Sequence, residues 1–185
     1  MVIGYAMCGS FCTFERSLRI LEKLSAEHEV VPIMSENAYS TDTRFGRASM
    51  IRERVKAAGG EIIHTIEGAE PFGATRKLDL LIISPCTGNT LSKLANGITD
   101  TTVTMAAKAQ LRSDRPILIS LASNDAMSAN LSNIGKLLCR KGIYFVPMVQ
   151  DDPESKPHSL VAEFEMTIEA IRAAMEGRQL RPVFL

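Results

Sequence analysis

A chain of 185 residues with 21 basic and 21 acidic side chains has room for one full hydrophobic core and no net charge to steer it toward nucleic acid or an anionic membrane. Apolar residues make up 45% and charged residues 23%, the balance of an ordinary globular protein, and the apolar runs are strand-length, well short of the roughly 20 residues of a membrane span. Four cysteines (Cys8, Cys12, Cys86 and Cys139) with no CxxC pair and no basic leader before MVIGYAMCGSF argue against a disulfide scaffold, a zinc site or a secretion signal, so reduced thiols and a cytoplasmic location are expected.

In chain order, short β-rich runs alternate with amphipathic stretches. Strands are expected at 2 to 6 (VIGYA), 29 to 34 (EVVPIM), 61 to 66 (EIIHTI), 78 to 84 (LDLLIIS), 116 to 122 (PILISLA) and 143 to 149 (IYFVPMV). Between them, Phe14, Leu18, Leu21 and Leu24 share one helical face, as do Ile51, Val55 and Ala58, and then Ile134, Leu137 and Leu138. Strands alternating with helices imply βαβ units, and near-continuous apolar runs such as LDLLIIS imply strands buried on both faces. The expected fold is a three-layer, doubly wound α/β domain of 1 to 185 with a mostly parallel six-stranded sheet, Rossmann-like or flavodoxin-like. A Pro-rich break at Pro153 and Pro157 precedes a last helix from about 159 to 175 and a tail to 185.

In such sheets ligands sit beyond the carboxyl ends of the strands, so the loops that follow the strands carry the chemistry. After the first strand, MCGSFCTFE offers Gly9 for close backbone approach, the Ser10 hydroxyl and a helix start near Thr13. That is the geometry of a phosphate site, or of a simple capped helix; neither GxGxxG nor a Walker A loop is present. Ser35 ends the second strand close to the same crevice. In SPCTGNTLSKLANGITD, Pro85 is expected to stop the strand ladder, Gly88 to permit a sharp turn, and Asn89 and Thr90 to cap a helix or to meet a ligand; Asn96 and Gly97 make a second turn. After the fifth strand, Ser123, Asn124, Asp125, Asn130 and Asn133 repeat the theme. Two clusters of neutral amides and hydroxyls suit an uncharged heterocycle that carries one phosphate.

The loop GSFCTF, the turn PCTGNT, KLANGITDT and the helix TVTMAAKA resemble, in order and spacing, the flavoprotein family of FMN-binding cysteine decarboxylases and flavin prenyltransferases. The resemblance runs from the first strand to GIYFVP. It implies an FMN phosphate held by Gly9, Ser10, Ser35 and Thr90, and an isoalloxazine near Pro85, Cys86, Thr87 and Asn89, with Ser123 and Asn124 as further contacts. It also implies a homo-oligomer, a trimer or a multiple of trimers, with FMN near the interface between copies. Departures accompany the matches. Counting back from Pro85 puts Pro71 of GAEPFG where the decarboxylases carry a catalytic histidine, SNDAM replaces their Pro-x-Met-Asn turn, and Asn124 and Asp125 stand where prenyltransferases have an Arg-Glu pair. The readings left open are an FMN-dependent enzyme that works only with a second protein, a decarboxylase or prenyltransferase of small molecules, and an interaction protein with a vestigial pocket.

Other residues read as structural. His64 lies in a strand-like run as an edge histidine, while His28 and His158 sit in surface loops. Cys86 reads as a small packing residue rather than a nucleophile, since no base or cation is assigned beside it. The methionines read as core filler, with Met127 set apart by its place in the second amide turn. Arg44, Arg47, Arg52 and Arg76 are cations able to pair with a carboxylate, and none is singled out.

Overall fold

In the computed structural model, which describes residues 1 to 72 and 74 to 185, seven strands form one sheet. Strands β1 (Val2–Met7), β2 (Glu29–Met34), β3 (Leu80–Cys86) and β4 (Ile117–Ser123) run parallel in the spatial order β2-β1-β3-β4. The far edge of β4 is shared: β5 (Ile143–Phe145) lies parallel to Ile117–Ile119, and β7 (Leu160–Ala162) lies antiparallel to Ala122 and Ser123, with β6 (Met148–Val149) outside it.

Helices cover both faces. On one face α5 (Gly88–Ala95), α6 (Thr102–Arg112) and α7 (Leu131–Leu138) bury Leu91, Val103, Ala107 and Ile134 against Ala6, Ile83, Ile119 and Leu121. On the other, α1 (Phe14–Ser25), α3 (Ala48–Gly59) and α8 (Thr167–Met175) bury Leu18, Val55 and Ile171 against Tyr5, Ile82 and Leu118. Alternate residues of one strand therefore feed opposite cores, the two-sided burial that LDLLIIS required. The doubly wound α/β architecture is as expected. Because the chain goes left from β1 to β2 and then returns to β3 on the right, the crevice at the ends of β1 and β3 is the topological switch point.

Several expectations fail in detail. The sheet has seven strands rather than six, and the run 61 to 66 is not one of them. Only Ile63 bridges to Ile33, with two backbone bonds to the β2 segment, before Thr65 caps the short helix α4 (Ile66–Ala69). The run 143 to 149 is two strands, because the chain leaves the parallel pairing with β4 at Val146 and joins β7 from Met148, on either side of Pro147. The segment from 159 begins as β7, passes through a 3₁₀ turn (Phe164–Met166) and is helical only from Thr167. The tail then pairs at the sheet edge, Met148 N–H donating to the Val183 carbonyl at 2.8 Å and Leu185 N–H to the Met148 carbonyl at 2.9 Å.

Candidate functional site

The switch-point crevice gathers four loops. Cys8 N–H donates to the Pro85 carbonyl at 3.0 Å and Ser35 N–H to the Met7 carbonyl at 3.0 Å, so the ends of β1, β2 and β3 are stitched into one rim. After β1, Ser10 opens a 3₁₀ turn (Phe11–Thr13) that runs into α1 one residue later than the expected start at Thr13. The Thr13 hydroxyl and amide both donate to the Ser10 carbonyl, at 2.8 and 3.1 Å, which fixes the turn. The Ser10 side chain caps nothing, so its hydroxyl is free beside a helix start whose leading N–H groups have no intrahelical partners. Gly9 is half-buried, and a Cβ there would meet Asn37 Cβ and the Phe11 ring at 3.5 Å, which is ordinary contact. Asn37, on the helix α2 (Glu36–Ser40), thus stands beside Gly9, a neighbour that its place in a long polar loop did not disclose. Ser35 caps α2 by accepting from Ala38 N–H at 3.3 Å, and its own proton remains available.

The PCTGNT turn is built differently from expectation. Pro85 does not end the ladder: β3 continues to Cys86, which pairs with Leu121 after a register shift from Ile83. Thr87, not Asn89 or Thr90, caps α5 by accepting from Thr90 N–H at 3.3 Å. The Thr90 hydroxyl accepts from Thr87 Oγ1 at 3.2 Å and donates to Cys8 Sγ at 3.3 Å, and the residue is buried. Its single proton is committed inward, whereas that of Ser10 is not committed to a helix cap. Asn89 is exposed on the first turn of α5.

Gly88 serves close packing rather than a turn. A Cβ would lie 2.7 Å from Asn130 Nδ2, 2.8 Å from Asp125 Oδ1 and closer still to Ser123 Oγ. Those three atoms belong to one network: Ser123 donates to Asp125 at 2.5 Å, Asn130 donates to the other Asp125 oxygen at 2.9 Å, and Asn133 donates to Asn130 at 2.9 Å. The hydrogen bond from Ser123, then that from Asn130, holds the Asp125 carboxyl below its usual range despite some desolvation. A carboxylate thus sits against the first turn of α5, where the helix dipole favours it. Of the pair expected here, Ser123 is buried and spends its proton on Asp125, whereas Asn124 is exposed. Asp125 and Asn130 organise this side of the crevice; the Gly88 contact that reveals it has no sequence signal.

Both thiols at the rim are buried. Burial, opposed by the Thr90 hydroxyl, pushes the Cys8 thiol up to about 11; burial and then the neighbouring Cys8 push that of Cys86 well above its ordinary value. A thiol held neutral is a packing group, the role expected of Cys86.

Pro71 follows α4 and precedes the buried Phe72; its neighbour Gly73, the last residue of GAEPFG, lies outside the described residues. His64 instead reaches the strand-end edge. Its ring stacks on Tyr39 at 3.8 Å, its carbonyl accepts from the Thr102 hydroxyl at 2.8 Å, and it lines a cleft of about 300 Å³ with Glu36, Glu67 and Asp100. Three of the four arginines lie over rings, Arg44, Arg52 and Arg76 over Phe45, Tyr39 and Phe72, and Arg47 is the N-cap residue of α3. Met127 is exposed in the turn after β4. Among the described residues no group of three or more His, Cys, Asp or Glu side chains could hold a metal ion, and no helix is long and apolar enough to cross a membrane.

The donor set is therefore hydroxyls, amides and helix-start N–H groups around a switch-point crevice, a set that fits a single phosphate with an uncharged ring better than a metal or a polyphosphate. The Flavoprotein family profile matches residues 1–177. The B subunit of dipicolinate synthase from Bacillus subtilis (strain 168) is 41% identical over 185 residues, covering 99% of this chain and 92% of that protein. The crystal structure of the dipicolinate synthase B subunit from Bacillus halodurans C superposes with a TM-score of 0.91 at 40% identity, covering 100% of this chain and 95% of that one. The FMN-dependent cysteine decarboxylase SpaF, at 20% identity, shares the fold with a TM-score of 0.64 over 96% of this chain and 97% of its own.

Proposed function

The chain belongs to the flavoprotein family, and from that premise we propose that it is the flavin-type B subunit of dipicolinate synthase. With a separate A subunit that carries NAD(P), it forms pyridine-2,6-dicarboxylate from a dihydrodipicolinate-type precursor during sporulation, in the cytoplasm of the mother cell. The observation that carries this reading is the likeness to the two Bacillus B subunits over the whole chain, at 41% identity in sequence and a TM-score of 0.91 in structure.

The cofactor is FMN, and the residues present fit it. Gly9 would allow the backbone to approach the phosphate; the free Ser10 hydroxyl, the Ser35 hydroxyl and the start of the α1 segment would donate to it. Thr90 completes that wall mainly by shape, because its proton holds Cys8. Pro85, Cys86 and Thr87 would hold the ring, and the exposed Asn89 and Asn124 amides, with Ser123, would offer it hydrogen bonds. When bound, FMN supplies a hydride acceptor, the chemistry that aromatising a dihydropyridine requires. The working unit is a homo-oligomer, a trimer or a multiple of trimers, that closes the crevice with a neighbouring copy.

A second reading, an FMN-dependent decarboxylase or prenyltransferase, has one observation in its favour: His64 lines a cleft beside α2 at the strand-end edge. Dipicolinate formation with the purified A subunit separates the readings. The proposal expects a rate that needs this chain and falls with Ser10→Ala and Asn89→Ala. A rate unchanged by both substitutions would make this an interaction protein with a vestigial pocket.

A further inference from the structure

A second cleft, of about 400 Å³, lies away from the strand ends, along α6 and beside the carboxyl ends of α5 and α7. Its lining includes Leu94 and the exposed Ile98, Leu111 of α6, and three cations, Lys108, Arg112 and Arg140, with no carboxylate. From Thr90 at the crevice to Gly97 at this cleft is roughly 10 Å along α5, so the two are separate places on the chain.

The charges do not balance. Lys108 and Arg112 are four residues apart on α6, a spacing that brings like charges together at a cost to the helix. Arg140, just beyond α7, adds a third. Among the described residues none of the three has an ion-pair partner, as is true of most of the chain's 21 basic side chains, seven of which have one. Asp100, two residues beyond Ile98, is held by Lys93 at 2.8 and 2.9 Å. Placing cations at helix carboxyl ends accounts for Arg112, in the last turn of α6, and for Arg140, next to the C-cap of α7, but not for Lys108. It does not account for three cations around one apolar floor.

We propose that this cleft binds a compact organic dianion with a flat apolar body: two carboxylates facing Lys108, Arg112 and Arg140, and the body lying on Leu94, Ile98 and Leu111. The volume is within the range of small-ligand sites, a planar guanidinium takes a carboxylate through two hydrogen bonds, and an anion there removes the mutual repulsion of the three cations. This site does not depend on the chain seating a flavin.

Isothermal titration of the full chain with benzene-1,3-dicarboxylate tests it. The expected result is a site that is weakened by added salt, kept in the crevice variant Ser10→Ala, Asn89→Ala whether or not the crevice also takes the probe, unchanged by saturating FMN, and weakened about tenfold or more in the variant Lys108→Ala, Arg112→Ala, Arg140→Ala. All three side chains are exposed, so the variant keeps the fold. No binding by the parent chain, or equal binding by the variant, overturns the proposal. So does inorganic phosphate binding as tightly as the dicarboxylate, since the apolar floor would then do nothing. A variant that changes its oligomeric state while keeping its affinity for the dicarboxylate also overturns it, by making the cleft an interface between copies.

Discussion

The Thr90 hydroxyl donates to the Cys8 sulfur at 3.3 Å, joining the first turn of α5 to the end of β1 across the switch point. Thr90 is thus a structural tie at the rim of the crevice. Thr90→Val keeps its shape and removes the donor; it should cost about 1 kcal/mol in urea unfolding and weaken FMN less than Ser10→Ala does. A variant that folds with parental stability but loses FMN would return Thr90 to the phosphate.

Gly88→Ala should be more damaging than any polar substitution in the turn. The new methyl would stand within 2.8 Å of three polar atoms, those of Ser123, Asn130 and Asp125, that are hydrogen-bonded to one another. Relieving it means shifting α5 away from the loop after β4, at a cost of about 1–3 kcal/mol, and dislocating both walls of the crevice. Denaturant midpoints of the two proteins measure the first effect, and flavin affinity the second.

The thiols divide cleanly. Cys12 and Cys139 are exposed; Cys8 and Cys86 are buried and held neutral. A thiol reagent at neutral pH should modify two cysteines in the folded chain and all four after unfolding. Rapid modification of Cys86 in the native state would show an open or ionised thiol at the crevice.

Asp125 gives the acid side of the stability curve a specific contributor. Its pKa in the folded chain lies below the ordinary 3.8, chiefly through the Ser123 hydrogen bond. The stabilisation is therefore complete above 3.8 and is lost as the pH falls through the lower folded value. Asp125→Asn should be less stable than the parent near neutral pH, and the gap should narrow below pH 3.8. A gap that stayed constant through that window would leave Asp125 no part in acid unfolding.

The alternation of apolar runs with helical periodicity made the core strands and the two-faced sheet legible, because Ile82 and Ile83 or Leu118 and Ile119 can be buried on opposite faces only in a covered parallel sheet. The run around Ile62 and Ile63 has the composition of a strand, yet only Ile63 finds a partner, because Thr65 turns the chain into α4. Strand β7 was hidden by its three-residue length, too short for any periodicity, inside a segment whose later residues are helical. At the site, residue types and spacing located the turns but not the roles within them. Thr87 rather than Thr90 is the cap, Gly88 is small because another loop presses on it, and Asp125 is organised by partners five and two residues away. Such facts depend on how two loops meet, which no single stretch of sequence records.

A flavin seat at the switch point is tested most directly by titrating the purified chain with FMN and following the flavin's visible absorbance and fluorescence alongside the melting temperature. Saturable binding with a rise in melting temperature is expected, weakened by Ser10→Ala and by Asn89→Ala. A chain that shows no flavin absorbance on purification, no spectral change on titration and no thermal shift would have no such seat.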